Sequence, residues 1–339
     1  MSPTRDTLER GVPELSIFVG FLAVLVATGG CQQRLLPFAT TTGHGYMNAK
    51  GEVVVTPNLD AAWESSEGIA IGARDGRYVF FSTNGKELGQ ARFEHIGSFH
   101  QERAVVYNGE KYGFVSPSGQ IVIPPTYSRV PCDFADDLAC VTVDNKWGYI
   151  DRAGVVAIPP RFDTAKPFND GRAVTVTANT THIIDREGKP VIDDVEASHG
   201  CAEGVCTIKR EGVWSFTDLN GRDLYGRHFD DVELYSNGLA GVKIGSKWGY
   251  IDRHGVIVIA PKYDLVGSFG EGLAAVQIGK KFGFIDAKGS VVIPFQFQDA
   301  APFCGGVAFV IGVDTAEYVR HDGTNVRPQL NRILKAKMR

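Results

Sequence analysis

A motif that recurs about every 34 residues constrains this chain more than any other feature of its sequence. Its clearest copies are Lys146–Asp151 and Lys247–Asp252, both KWGYID, and Lys281–Asp286, KFGFID. Weaker copies fill the intervals, so that nine copies follow one another at spacings of 32 to 36 residues. Such regularity predicts a tandem array of about nine units rather than two or three independent domains. The copies begin at His44, Tyr78, Tyr112, Trp147, His182, Trp214, Trp248, Phe282 and Tyr318.

Each copy is long enough for three short strands. In one unit these are residues 139–143, 147–151 and 155–159, separated by polar and glycine-containing turns. Alternate residues of the middle strand are apolar on both faces, which is expected for a strand that is packed on each side. The sequence therefore predicts an all-β fold, a tandem array of about nine three-stranded antiparallel β-meander repeats.

The recurring residues have structural explanations. The glycine is expected to let a neighbouring layer approach closely, and an Asp followed three residues later by Gly is typical of a type I turn. Pro159 and Pro261 are expected to end the third strand, where no hydrogen-bond donor is needed. We therefore assign a structural role to Trp147, Gly148, Tyr149, Asp151, Trp248, Gly249, Tyr250, Asp252, Phe282, Gly283, Phe284 and Asp286.

The overall shape of the array is open to two interpretations. Propeller blades usually have four strands and repeats of about 40 to 45 residues, in rings of about four to eight blades. Units of about 34 residues, nine in number, favour an open or superhelical array over a closed propeller-like ring. The end copies are expected to act as caps, with His44 in place of the aromatic residue and Arg320 where Tyr or Phe is expected; His182 is likewise read as standing in for the aromatic residue.

These motifs resemble the WG repeat of bacterial proteins, whose signature is an aromatic-Gly pair, Tyr/Phe-Ile-Asp, and then Gly and Val-Ile-x-Pro. We assign residues 44–326 to this array. The resemblance implies a fold more than a function, because the family is defined by the repeat itself.

The N-terminus has the features of an export signal. Leu15–Thr28 is an apolar run of 14 residues, short for a membrane-spanning helix. Gly29-Gly30-Cys31 follows and resembles the lipobox of bacterial lipoproteins, although Thr28 and an acidic start depart from that pattern. We predict a signal peptide at 1–30, a lipidated Cys31 with a linker at 31–43, and a basic tail at 327–339. An ordinary signal and a buried core segment are the alternatives.

Resemblance to lipoprotein sorting rules gives a location. Gln32 follows Cys31, and a residue other than Asp favours the outer membrane over the inner one. An exported chain permits disulfides. Cys201 and Cys206 occupy the positions that Phe269 and Ala274 hold in another unit, so they could bond if that pair is in contact. Cys132 and Cys140 flank an equivalent bend and form the second possible pair.

Composition and motifs exclude several functions. A formal net charge of −4 implies no general attraction to nucleic acid. The chain has no zinc-protease motif, phosphate-binding loop or nucleophile elbow, and no Cys/His ligand cluster. We therefore predict no cofactor, no metal and no catalytic residues.

The leading hypothesis is a cell-envelope lipoprotein whose repeat array binds or scaffolds an envelope protein or a cell-wall polysaccharide, without enzymatic activity. The membrane is reached through the N-terminal lipid anchor. An alternative is an envelope hydrolase that uses acidic residues outside the repeat register, namely Glu203, Asp230, Asp231 and Glu233. A purely structural spacer is the third interpretation.

Overall fold

A computed structural model describes residues 34–313 and 315–329. These residues form nine small antiparallel sheets, here called blades 1 to 9 in chain order. Blade 1 comprises β1 (Leu36–Thr40), β2 (Gly43–Met47) and β3 (Val53–Leu59). Blade 2 comprises β4 (Ala61–Ala62), β5 (Ile69–Arg74), β6 (Arg77–Ser82) and β7 (Glu87–Ala91). Blade 3 comprises β8 (His95–His100), β9 (Arg103–Tyr107), β10 (Tyr112–Val115) and β11 (Ile121–Tyr127).

The next three blades include the two that depart most from the repeat. Blade 4 comprises β12 (Leu138–Val143), β13 (Lys146–Asp151) and β14 (Val156–Phe162). Blade 5 comprises β15 (Thr164–Ala165), β16 (Ala173–Thr177), β17 (Thr180–Ile184) and β18 (Pro190–Val195). Blade 6 comprises β19 (Ala197–Ala202), β20 (Val205–Arg210) and β21 (Val213–Asp218).

The last three blades bring the chain back to its start. Blade 7 comprises β22 (Asp231–Val232), β23 (Ala240–Ile244), β24 (Lys247–Ile251) and β25 (Ile257–Tyr263). Blade 8 comprises β26 (Leu265–Gly270), β27 (Leu273–Ile278), β28 (Lys281–Asp286) and β29 (Val291–Phe297). Blade 9 comprises β30 (Asp299–Ala300), β31 (Val307–Ile311) and β32 (Ala316–Arg320).

The all-β prediction is confirmed, but the number of strands per unit was underestimated. In the described part of the chain, five sheets have four strands and four have three. The additional strand precedes the three that were expected, and in blades 2, 5, 7 and 9 it is only two residues long. Strands that short carry no alternation of apolar and polar residues, so the sequence pattern could not reveal them.

The array is a closed nine-bladed propeller, so the expectation of an open or superhelical form was wrong. Nine hydrophobic clusters fill the nine interfaces between neighbouring blades. The ninth joins the ends of the array, where Leu36 and Met47 of blade 1 pack with Val307 and Tyr318 of blade 9. At the same seam the Gln329 N–H donates to the Gly51 carbonyl at 2.7 Å. The end copies are therefore ordinary members of a ring rather than caps.

The radial order of the strands follows from burial and contacts. The strand that follows the signature strand, the fourth where a blade has four, exposes large apolar side chains, such as Val156 of β14 and Ile257 of β25, and forms the rim. The first strands of neighbouring blades contact each other, as where Lys166 Nζ donates to the Ser198 carbonyl at 3.0 Å. Short first strands thus surround the axis of the ring, where the least room is available.

The recurring glycine and proline belong to one bulge. Trp147 faces Phe162 and Tyr149 faces Ile158, so three residues of β14 oppose Gly148 alone. A Cβ at Gly148 would lie 2.5 Å from the Ile158 carbonyl oxygen. The close neighbour is therefore the adjacent strand of the same blade rather than another layer, and Pro159 lies inside β14 rather than at its end.

The structural register corrects two positions of the repeat. Thr181, not His182, occupies the place of Trp147, because Asp185 forms the turn that Asp151 forms one unit earlier. In blade 9 the turn is made by Arg320, so Tyr318 corresponds to Phe284, and Ala316 takes the aromatic position. With these assignments successive copies are 33 to 35 residues apart, which is more regular than the sequence alone indicated.

Candidate functional site

The signature aspartates act in turns. Asp151 Oδ1 accepts hydrogen bonds from the N–H groups of Ala153 and Val155, both at 2.9 Å. Asp252 and Asp286 bind their own turns in the same way, and these backbone donors hold the pKa of both carboxyls below the ordinary value. These carboxylates are therefore engaged in local structure.

The signature aromatic residues form the walls between blades. Tyr149, Tyr250 and Phe284 are fully buried, and Trp248 is 6% exposed, whereas Trp147 and Phe282 are half-buried. The Tyr250 hydroxyl donates to the Gly267 carbonyl of the next blade at 2.8 Å. These residues join neighbouring blades, and Tyr149, Tyr250 and Phe284 have no surface left for a ligand.

A second set of acidic residues links the turns of successive blades. Each lies in the turn that precedes β5, β12, β16, β20 or β27 and accepts from a backbone N–H in the next blade. Asp170 Oδ2 accepts from Gly204 at 2.7 Å, Glu203 Oε1 from Asn237 at 2.7 Å, and Glu271 Oε1 from Gly305 at 2.8 Å. We call Glu67, Asp136, Asp170, Glu203 and Glu271 the turn acids.

The four carboxylates of the hydrolase hypothesis do not converge. Glu203 is a turn acid, and Arg253 also donates to its side chain. Asp230 immediately precedes the first strand of blade 7 and accepts from the Gly245 N–H at 2.6 Å, at the opposite end of the blade. Both residues recur in register, so the interpretation of Glu203 and Asp230 as off-register acids was wrong. Only Asp231 and Glu233 lie close together.

Asp231 and Glu233 belong to a row of charged residues on the inner strands of blades 5 to 7. This inner polar row consists of Lys166, His199, Asp231 and Glu233. Lys166 and Glu233 hold equivalent places, because the N–H of each donates at 2.9 Å to the second strand of its own blade. His199 Nε2 lies 3.8 Å from Asp231 Oδ1, across the interface between blades 6 and 7. Three consecutive blades thus contribute one continuous charged surface near the axis.

The charges of the inner polar row influence one another. Burial, and then the negative charge of Asp231, raise the pKa of Glu233 to about 7. Burial is also the main reason why the pKa of His199 lies below its ordinary value, opposed by Asp231 and reinforced by Lys166. The His199 ring stacks on Trp214 at 4.3 Å, which fixes its orientation. The row therefore offers an ammonium group, a neutral imidazole and a carboxyl that ionises near neutral pH.

Both pairs of cysteines named above are joined in the structure. Cys132 bonds to Cys140 and Cys201 bonds to Cys206. Cys201 and Cys206 are direct partners across β19 and β20, as Phe269 and Ala274 are across β26 and β27. For Cys201 and Cys206, the position in the repeat therefore indicated the partner.

Metal and membrane features were also sought in the described residues. Residues 34–313 and 315–329 contain no group of three His, Cys, Asp or Glu residues that could hold a metal ion. Within the same ranges no helix is long and apolar enough to cross a membrane. The signal segment at 1–30 and Cys31 lie outside the described residues, as does most of the basic tail.

Sequence reasoning missed Lys166 and the turn acids other than Glu203, which it assigned to the hydrolase alternative, and it treated His199 only as a scattered histidine. The turn acids carry a readable signal, an acidic residue before Gly at Asp170-Gly171, Glu203-Gly204 and Glu271-Gly272, at the repeat spacing. Lys166 and His199 carry no such signal, because their proximity depends on how one blade is placed against the next.

Comparison with known proteins agrees with this architecture. The family model described as "WG containing repeat" matches residues 45–78, 80–112, 112–147, 147–177, 227–248, 248–282 and 282–311. A search of curated proteins gave no match. Among solved structures, a eukaryotic initiation factor is similar with 11% identity and a TM-score of 0.58, over 87% of this chain and 95% of that one.

Two further structures are less similar. Hsv2 of Kluyveromyces lactis has 9% identity and a TM-score of 0.39, over 75% of this chain and 90% of its own. PorZ of Porphyromonas gingivalis, a surface component of the type-IX secretion system, has 12% identity and a TM-score of 0.34, over 78% of this chain and 44% of its own. At such low identity the likeness to the initiation factor concerns the fold alone.

Proposed function

This chain belongs to the WG-repeat family, and we propose that it is a non-enzymatic binding or scaffolding module of the bacterial cell envelope. The observation that carries this proposal is that the charged residues fall into two groups, one bound within turns and one presented at the surface near the axis. The recurring carboxylates are engaged in turns within and between blades, whereas the inner polar row breaks the repeat and presents its charges near the axis of the ring. A rigid ring with one distinctive polar surface suits recognition.

The proposed partner is an envelope protein or a cell-wall polymer. The inner polar row carries both signs of charge, with Lys166 at one end and Asp231 and Glu233 at the other. A partner that contacts it requires complementary groups of both signs, which proteins and peptide-bearing cell-wall polymers supply. Nucleic acid is not proposed, because the formal net charge of the chain is −4.

The proposed location is the periplasmic side of the envelope, with the chain anchored through lipid on Cys31 and the outer membrane favoured over the inner one. Replacement of Cys31 by Ser is expected to release the protein from the membrane fraction and to abolish incorporation of labelled fatty acid. Release without any labelling of the unmodified protein would point to an ordinary cleaved signal instead.

Site-specific cross-linking in cells tests the binding function. A photoreactive residue at Thr164, next to Lys166 on the first strand of blade 5, should give discrete cross-linked species. The same residue at Val258, on the exposed fourth strand of blade 7, is the control and should give none. The species should disappear when Lys166 is changed to Ala and Glu233 to Gln.

The alternatives predict different outcomes. A structural spacer would give no discrete species from either position. An envelope hydrolase would release soluble fragments from cell-wall polymer and lose that activity in Asp231→Asn, because Asp231 is the acid of this group whose charge acts on Glu233. Cross-linking from Val258 as strong as from Thr164 would show that the inner polar row is not the contact surface.

A further inference from the structure

Two hairpins of neighbouring blades lie side by side at one end of the ring. One joins β23 to β24 across residues 244–247, and the other joins β27 to β28 across residues 278–281. A single carboxylate connects them, because Asp264 Oδ1 accepts from Lys247 Nζ at 2.5 Å and Asp264 Oδ2 accepts from the Gly279 N–H at 2.7 Å. The two hairpins therefore present one joint surface.

Each hairpin presents an aliphatic side chain beside lysine. Ile244 is directly opposite Lys247, and Ile278 is directly opposite Lys281, with Lys280 in the turn between them. Ile244 is 43% exposed and Ile278 is 46% exposed, and Lys280 is exposed as well. We call these five residues the hairpin patch. It combines apolar surface with positive charge in a chain whose formal net charge is −4.

The turns of these two hairpins differ in charge from most of their counterparts. The turns between the equivalent strands of blades 2, 3, 4 and 6 each contain one acidic residue, namely Asp75, Glu110, Asp144 and Glu211. The turns of blades 7 and 8, residues 245–246 and 279–280, contain none. The positive charge of the hairpin patch is therefore not offset within its own turns.

Lys281 also lacks the ion-pair partner that its counterpart in blade 7 has. Lys247 is paired with Asp264, which follows it by 17 residues. Gln298 holds the same place after Lys281, and the N–H groups of Asp264 and Gln298 donate to β27 and β31 in the same way. Within residues 34–313 and 315–329, neither Lys280 nor Lys281 forms an ion pair. Two lysines of the patch are therefore left without a neutralising carboxylate.

We propose that the hairpin patch binds an acidic surface of a second protein. The lysines without an ion pair are complementary to carboxylates, and the exposed isoleucines are complementary to apolar side chains placed between them. A protein surface supplies both kinds of group, whereas an anionic polysaccharide supplies no apolar complement. The inference goes beyond the proposed function, because it names a second contact surface on other strands than the inner polar row and the chemistry of its partner.

The direction of the chain favours a protein over a membrane as the partner. Leu36 of β1 is opposite Met47, whereas the hairpin of blade 1 lies between Thr40 and Gly43. The chain therefore enters the ring at the end away from the hairpins. Cys31 stands shortly before Leu36, so the membrane of the proposed lipid anchor lies at that end, and the hairpin patch faces away from it. This step alone rests on the proposed location.

Photo-cross-linking in cells tests the proposal, with a photoreactive residue at Ile278. It should give a discrete adduct, which mass spectrometry should place on a segment of another protein rich in Asp and Glu. Lys280→Glu combined with Lys281→Glu should reduce the yield of the adduct about tenfold or more, because like charges then face each other. Raising the salt of a cell extract from about 0.1 to about 1 M should also reduce it, since the screening length shortens from about 10 to about 3 Å.

Blade 4 provides the matched control position. Val143 is 45% exposed and lies opposite Lys146 in an equivalent hairpin, but Lys146 is paired with Asp163 and the turn contains Asp144. A photoreactive residue at Val143 should therefore give no such adduct, although its exposure and local backbone match those of Ile278.

A control variant matches the change of charge. Arg186→Glu combined with Lys189→Glu alters an exposed turn of blade 5 by the same amount and should leave the Ile278 adduct unchanged. The salt dependence requires no variant, so it tests the proposal even if the lysine changes disturb the hairpin. The proposal is overturned if Ile278 gives no adduct, if the adduct is a lipid or a polysaccharide, or if it persists unchanged at high salt. Cross-linking from Thr164 reports on the inner polar row separately.

Discussion

At the scale of single residues, the recurring glycine and the recurring proline-containing segment have one common structural cause. The glycine after the aromatic residue is required by the proline-containing bulge that crosses over it within the same blade. In blade 5 the glycine is replaced by His182, and there the bulge changes as well. Asp194 adopts a positive φ, and the His182 ring binds Asp193 at 2.8 Å. The glycine and the bulge therefore vary together.

Replacing Gly249 by Ala should destabilise the protein by about 1–3 kcal/mol, the usual effect of overpacking a tight site. A Cβ there would lie 2.4 Å from the Ile259 carbonyl oxygen. Gly97→Ala is the control, since its Cβ would meet nothing nearer than 3.7 Å. Urea denaturation of the two variants measures the difference. Equal stabilities of the two variants would contradict the explanation that the bulge requires glycine at this recurring position.

Glu233→Gln should make stability less sensitive to pH. The pKa of Glu233 is raised from 4.5 to about 7, so the neutral acid stabilises the fold fully below pH 4.5, and this contribution is lost as the pH rises through 7. The free energy of unfolding of the Gln variant, relative to the unmodified protein, should therefore increase by up to about 3 kcal/mol between pH 4.5 and 8. Glu187→Gln, at an exposed turn, should show no such trend.

At the scale of strands and turns, much of the fold could be predicted. The repeat fixed the β class, the middle strands and the aspartate turns, because those features depend on local alternation and turn chemistry. The two-residue first strands and the bulges in the fourth strands could not be predicted, since pairing with neighbouring strands defines them. The sequence pointed to Asp231 and Glu233, but not to the rest of the inner polar row, because Lys166 and His199 meet only when blades 5 and 6 are placed together.

Glu203→Ala tests the role of the turn acids. The change removes bonds to the N–H groups of Asn237 and Gly238 and to Arg253, and should destabilise the protein by about 1.5–3 kcal/mol, as expected for hydrogen bonds to a charged group. Thermal denaturation measures this loss, with Glu187→Ala as the exposed control. Cross-linking from Thr164 should persist in the folded variant. Loss of cross-linking with unchanged stability would instead give Glu203 a part in recognition.

At the scale of the whole molecule, closure makes every blade equivalent in one respect. Each blade has two neighbours, and each interface has its own hydrophobic cluster, including the interface that joins Leu36 to Val307. In an open array an end unit has one neighbour, and losing it removes one interface. In this ring the loss of any blade exposes two.

Deleting blade 9, residues 299–339, therefore tests closure. The shortened chain should lose the clusters on both sides of blade 9, expose the apolar faces of blades 1 and 8, and aggregate or unfold. Size-exclusion chromatography and circular dichroism measure the outcome. A monomeric product that unfolds in a cooperative transition only slightly weaker than that of the full chain would indicate an open array.

The closed seam also limits how a protein of this kind can change in length. An open series of repeats can gain a unit by duplication and remain the same structure, one step longer. Here nine blades share one full turn, so a tenth would require every interface to adopt a narrower angle at once. Variation among such rings should therefore appear as altered blades, of which blade 6 is an example, more readily than as a changed number of blades.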